Sequence, residues 1–202
     1  MKTRIIKNKN ASITEFFDIE FNADTLISLK GLSNKIAYCD KYLSFIGAGY
    51  SRAVFRLNDT QVIKIATRKI GLSQNSNEKV FSERFTSITP KVYSDGENFE
   101  YIISEYAEDA KKEDFINILG FNFGDISTWV RLGADIEKLN SKYPEKNETW
   151  QAINDSEKLS EIKNLLLEGV KDLEKIDSWG KVKENNEYKI VVRDYGLISN
   201  DV

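Results

Sequence analysis

Few residues in this chain can do chemistry, and they fall in a definite order. The first group is Gly47-Ala48-Gly49-Tyr50-Ser51-Arg52-Ala53-Val54, a glycine-rich stretch between two runs of strand-like sequence. Glycine lets backbone N–H groups come close to phosphate oxygens, so a strand–loop–strand of this composition can lie over a nucleotide. The plainer reading is a hairpin that needs glycine for a positive φ. No Gly-Lys-Ser/Thr follows, which excludes a P-loop, and no helix opens here as a dinucleotide-binding loop requires. Lys64 comes next, flanked by apolar residues in Val62-Ile63-Lys64-Ile65-Ala66. An ammonium on a buried strand needs an anionic partner, and Glu78, at the start of a helical segment, is a candidate. An exposed edge-strand lysine and an ordinary helix glutamate are the alternative. Far along the chain stand Asp172, Asp177 and Asp194. Carboxylates converging from a loop and a strand end suit Mg²⁺, which prefers one or two carboxylates plus phosphates and waters. Singly, each has a bland reading: a solvated residue, a cap or turn former, and a turn after a strand.

The elements that must position these groups change character along the chain. Leu26, Leu29, Leu32 and Ile36 recur at helical intervals within residues 1–42, interrupted by Gly31. From Tyr42 to Ala66 the pattern predicts a three-stranded antiparallel meander with a turn at Asn58-Asp59. A helix around Asn77–Phe85 and two strands joined at Asp95-Gly96 complete a five-stranded sheet with one helix. The second half is helical in period, with helices expected around 113–121 and 126–140. A long one is expected over Ser156–Ile176, capped by Ser156 or Asp155, with Leu159, Ile162, Leu165, Leu166, Val170 and Leu173 on one face. A strand at Tyr188–Val192 precedes Asp194-Tyr195-Gly196. Strands first and helices later predict an α+β fold of two lobes with a boundary near Glu108–Glu113.

Composition removes other chemistries. The 202 residues contain no His and one Cys, Cys39, which excludes His-based triads, His metal sites, disulfide frameworks and Cys zinc clusters. With 29 Lys+Arg against 32 Asp+Glu, a net of -3, nothing favours nucleic acid or an anionic membrane. The basic start has no signal-peptide core, and no apolar run approaches the roughly 18 residues of a membrane span, so a cytoplasmic protein is expected. What remains is carboxylates, Lys/Arg, hydroxyls and backbone amides, the groups used in phosphate chemistry.

In order and type, residues 43–197 resemble the protein kinase-like superfamily, and in particular its small bacterial and phage members. GAGYSRAV resembles the glycine-rich loop, VIKIA the strand with the phosphate-binding lysine, and Glu78 its helix partner. SEYAE (Ser104–Glu108) resembles the hinge, VKDLEKID with the following SWG the catalytic loop, and DYG the metal-binding element. The resemblance implies a minimal bilobal kinase-like fold: an N-terminal extension (1–42), an N-lobe (43–108) and a truncated helical C-lobe (109–202). It also implies roles. Val54 and Val62 would roof adenine, Gly47 and Gly49 would bring amides to the phosphates, and Lys64 held by Glu78 would contact the α- and β-phosphates. Ser104 would be the gatekeeper, with backbone groups of Glu105 and Ala107 reading the base. Asp172 would orient or deprotonate the acceptor hydroxyl, and Asp177 and Asp194 would hold Mg²⁺.

Departures from that pattern divide the functional expectation. Arg52 replaces the third glycine, Val170 the usual His, Lys171 the usual Arg and Asp177 the usual Asn. Glu174 stands where many members carry a cation or His, and a carboxylate there opposes developing phosphate charge unless it faces away and Lys175 takes over. The leading expectation is an ATP- and Mg²⁺-dependent phosphotransferase acting on a protein Ser/Thr hydroxyl or on itself. The alternative is a pseudokinase whose nucleotide pocket supports docking of a protein partner. A small-molecule kinase of the antibiotic type needs extra helices for its substrate pocket. With the chain ending shortly after Gly196, no activation segment or substrate-docking helices are expected.

Overall fold

The computed structural model describes residues 20–193 and Tyr195. Two short helices come first, α1 (Ala23–Ser28) and α2 (Leu32–Tyr42). The helical period read over this segment is therefore split, at Gly31, whose φ of +84° lies in the region that favours glycine. Lys35 fastens the pair. Its buried ammonium donates to the carbonyls of Leu26 (2.9 Å) and Leu29 (2.6 Å), occupying acceptors that the end of α1 leaves open, and lies 3.4 Å from the Glu100 carboxylate.

Five antiparallel strands follow: β1 (Ser44–Ala48), β2 (Arg52–Arg56), β3 (Gln61–Ala66), β4 (Val92–Asp95) and β5 (Tyr101–Glu105), in the spatial order β1-β2-β3-β5-β4. The meander and the β4–β5 pair arise as the sequence predicts, although β4 and β5 are joined through a helical turn at Glu97–Phe99 rather than directly at Asp95-Gly96. Helix α3 (Lys69–Arg84) starts before the expected Asn77.

Strand register assigns the faces. Val54 pairs with Lys64 and Val62 with Ser104, so these side chains share one face; Ala53, Phe55, Ile63, Ile65 and Tyr101 share the other. The second face is covered by α1 and α2, where Leu26 and Cys39 complete a buried cluster. A strand covered on both faces reads as a near-continuous apolar run, which is why Val62–Ala66 carries one charge only.

Beyond β5 the chain passes through Tyr106-Ala107 into β6 (Glu108–Asp109), which pairs with β7 (Trp179–Glu184), and β7 pairs with β8 (Glu187–Val192). The β7–β8 turn is Asn185-Asn186, both at positive φ, as a two-residue hairpin of the primed type requires. Between β6 and β7 lie α4 (Lys112–Leu119), α5 (Phe123–Arg131), α6 (Ile136–Lys142), α7 (Asn147–Asn154) and α8 (Ser160–Leu167).

Two helices differ from expectation. The stretch 126–140 is broken at Gly133-Ala134, both at positive φ, into the end of α5 and the start of α6. The long helix over Ser156–Ile176 is instead a turn at Glu157–Leu159 and α8, stopped after Leu167 by Gly169 at φ +81°. Ser156 precedes that turn without capping it through its side chain, and Asp155 ends α7. Of the apolar residues counted on one helical face, all but the half-buried Leu166 are buried, but Val170 and Leu173 do it from a loop. The main core gathers Phe115, Trp129, Trp150, Ile162 and Trp179 with Phe81, Phe85 and Ile88 at the end of α3, so it joins both halves of the chain. The architecture is α+β, with a five-stranded antiparallel sheet and its helix followed by a helical half, as the sequence predicts; a small three-stranded sheet lies in the second half as well. No helix among the described residues is long and apolar enough to cross a membrane.

Candidate active site

Between the five-stranded sheet and the β6–β8 sheet lies a cleft of about 390 Å³. Its roof is the inner face of β1–β3: Ile46, Gly47, Gly49, Val54, Val62 and Lys64. Glu105, Tyr106 and Ala107 close one side, and Asp177 and Arg193 come from below. The roof is apolar near Val54 and Val62 and cationic at Lys64 and Arg52, a gradient suited to a ligand with a flat apolar end and an anionic end. Ser104 sits opposite Val62 on the same face, fully buried, with a hydroxyl that has no hydrogen-bond partner among the described residues.

The electrostatic centre is Glu78. Its side chain is 0 % exposed and lies between two cations, with Lys64 Nζ 2.6 Å from Oε2 and Arg52 2.6 Å from Oε1. Burial pushes this carboxyl up, but the Arg52 guanidinium and the Lys64 ammonium outweigh it and hold it below the usual carboxylate range. Lys64 also donates to the carbonyl of Arg193 at 3.3 Å, linking the sheet to the chain that leads into Asp194. One residue further, Tyr195 is buried beneath α3, its hydroxyl 3.3 Å from the Pro90 carbonyl and 3.5 Å from that of Glu78. Burial drives this phenol well above its ordinary pKa, so it stays a neutral donor.

The loop after α8 carries Asp172 at φ +64°, a left-handed conformation uncommon for a residue with a Cβ. Hydrogen bonds hold it there: the Asp172 carbonyl accepts from Lys175 N (2.9 Å) and Ser178 Oγ (2.8 Å), and the Trp179 indole donates to Leu173 O at 2.8 Å. The Asp172 side chain is exposed, with Lys175 Nζ 2.7 Å away, and that hydrogen bond raises the lysine pKa. Glu174 gives its carbonyl to Ser127.

Of the residues singled out in the sequence, Gly47, Gly49, Val54, Val62, Lys64, Glu105, Ala107 and Asp177 line one cleft, and Glu78 backs Lys64. Asp172 lies outside the cleft lining, and Asp194 lies outside the described residues. Sequence reasoning missed Arg193. Its stem packs against Gly180, and its guanidinium donates to the Asp109 carboxylate and, at 3.0 Å, to the Asp177 carbonyl. Its place immediately before Asp-Tyr-Gly was the available signal. Ile46, Tyr106 and Pro90 were also missed, each adjacent to a motif residue or a strand end.

No family model and no curated protein matches the chain. Solved structures similar to it include the GDP and kanamycin complex of APH(2″)-IIIa, at 12% identity and a TM-score of 0.41, covering 77% of this chain and 67% of that one. The GDP complex of wild-type aminoglycoside 2′-phosphotransferase-IIIa matches at 9% identity and 0.38, covering 84% and 74%. The streptomycin–ATP–APH(2″)-IIa ternary complex matches at 15% and 0.34, covering 88% and 72%.

Proposed function

We propose that this chain is a phosphotransferase that binds ATP with Mg²⁺ in the cleft and passes the terminal phosphoryl group to a Ser/Thr hydroxyl of a protein, itself included. The observation that carries the proposal is the Lys64–Glu78 pair opening onto a cleft with an apolar roof. A buried ammonium paired with a wholly buried carboxylate is costly to build as a mere structural contact, and it is well used if the lysine reaches α- and β-phosphate oxygens. Val54 and Val62 cover the base, and backbone groups at Glu105 and Ala107 read its edge. Gly47 and Gly49 have open space where a side chain would stand, which leaves room for phosphate beneath the loop.

Asp177 lines the cleft and brings a carboxylate, a donor type that fits Mg²⁺; in this reading it would hold the ion together with Asp194. When bound, the ion neutralises charge on the phosphate oxygens. Asp172 orients the acceptor hydroxyl and takes its proton. Lys175, beside Asp172, supplies the positive charge that Glu174 does not.

Incubation with labelled ATP tests the reading. Wild type is expected to transfer label to itself or to a generic protein substrate, and Lys64→Ala and Asp194→Ala are expected to lose transfer. No label transfer, together with a clear melting-temperature rise on adding ATP and Mg²⁺, selects the alternative of a pseudokinase that docks a protein partner. The exposed Asp172 outside the cleft lining is what favours that second reading. No shift at all refutes both.

A further inference from the structure

Arg52 stands where the loop pattern expects glycine, and the sequence alone counts it among the departures from that pattern. Its position gives the side chain a use. Arg52 opens β2 and pairs with Ala66, so it shares the cleft face with Val54 and Lys64. It is 7 % exposed, lines the cleft, and reaches Glu78 at 2.6 Å and the Asn75 side chain at 3.4 Å. Three further contacts bind the same end of the loop to α3 and to the segment just before it. Ser51 donates to the Gln74 side chain, Thr67 N donates to Ser51 O at 2.7 Å, and Gly71 lies so close that a Cβ would press into that same Ser51 oxygen. Asn75 in turn donates to Phe99 O at 2.8 Å, tying this part of α3 to the turn before β5.

Two consequences follow from charge and geometry. With Lys64 as its only cation, a buried Glu78 would form a neutral pair with one oxygen left desolvated. With Arg52 on the other oxygen, the trio carries a net charge of +1 beside the phosphate end of the cleft. Glu78 is also clamped from the loop side, so Lys64 is oriented by contacts to the loop and α3 as well as by the Arg193 carbonyl.

Resting on the reading of the cleft as a nucleotide site, we propose that Arg52 is a positioning residue for Lys64 and an additional source of attraction for the polyphosphate. Through it the loop and α3 behave as one preassembled anion-binding unit. The test is binding to the full chain of three probes: ATP with Mg²⁺, inorganic tripolyphosphate and adenosine. Arg52→Met is expected to weaken ATP and tripolyphosphate at least tenfold and to change adenosine less than twofold. Arg52→Lys, which keeps the charge and loses the fork, is expected to recover part of the tripolyphosphate affinity. A purely structural Arg52 would weaken adenosine and ATP alike, and that result overturns the proposal. Wild-type tripolyphosphate affinity in Arg52→Met overturns it while leaving the nucleotide reading intact, whereas a wild type that binds none of the probes overturns both. Should Arg52→Met fail to fold, Arg52→Lys decides: unchanged tripolyphosphate affinity there contradicts the need for the guanidinium fork.

Discussion

Glu78→Gln is the substitution on which the electrostatic account of the cleft depends most. The side chain is wholly buried and each carboxylate oxygen faces a cation at 2.6 Å. Glutamine keeps the shape, removes the negative charge and turns an N–H group toward one of the two cations. Removing one partner of a buried ion pair costs about 3–5 kcal/mol, because the remaining charge is left uncompensated. In a chain of this size each kcal/mol lowers the melting temperature by roughly 2–4 °C, so the expected fall is about 6–20 °C. Lys64→Met leaves Arg52 on Glu78, and Arg52→Met leaves Lys64, so each should cost less than Glu78→Gln. The folded-state pKa of Glu78 lies below its unfolded value, so its contribution is fully present above the unfolded carboxylate pKa of about 4.3 and is lost as pH falls through the folded value. Differential scanning calorimetry from pH 8 to pH 4 checks both points: a deficit steady down to about pH 5 that narrows only at the acid end. A Glu78→Gln protein melting within 2 °C of wild type at neutral pH would refute the reasoning, as would a smaller loss than that of Lys64→Met.

Other outcomes follow from contacts around the cleft. Gly180→Ala would place a Cβ 2.6 Å from Arg193 Cδ and 2.8 Å from Ala107 Cβ; overpacking of this kind costs about 1–3 kcal/mol, and because both neighbours line the cleft, calorimetry should also show weaker ATP binding. Trp179→Phe removes the indole bond to Leu173 O inside the core, at a cost of about 1–3 kcal/mol, and hydrogen exchange should show faster amide exchange across Asp172–Lys175. The Cys39 thiol is fully buried and pushed up to about 12 by burial, an effect Lys35 only partly offsets; iodoacetamide at pH 8 should leave it untouched in the folded protein and modify it in urea. Rapid alkylation of the native protein would show that α2 does not stay seated on the sheet.

The strands and the candidate site were legible for the same reason. The short β-rich runs of β2 and β3 and the isolated Lys64 on an apolar strand are local signals, and the order of motifs constrained the rest. The helical half was less legible because apolar spacing persists through loops. Val170 and Leu173 keep the period of α8 and reach the same core, so only Gly169 marks where the helix stops. Gly133 plays the same part between α5 and α6. The contacts of Arg52 were not legible because a loop pattern describes the backbone, while this side chain reaches Glu78 and Asn75 on a helix distant in sequence. The β7–β8 hairpin had its signal in Asn185-Asn186, two residues that tolerate positive φ.

Tyr195 is part of the core that joins the two halves of the molecule, and it brings a polar contact to it. Its ring lies near Phe81 and its one hydroxyl proton faces two carbonyls, of Pro90 and Glu78, while the preceding strand end docks through Val192 N to Ile88 O at 2.8 Å. Together with Phe81, Phe85 and Ile88 in the main core, these contacts fix the chain that leads into Asp194 against the end of the molecule that carries α3.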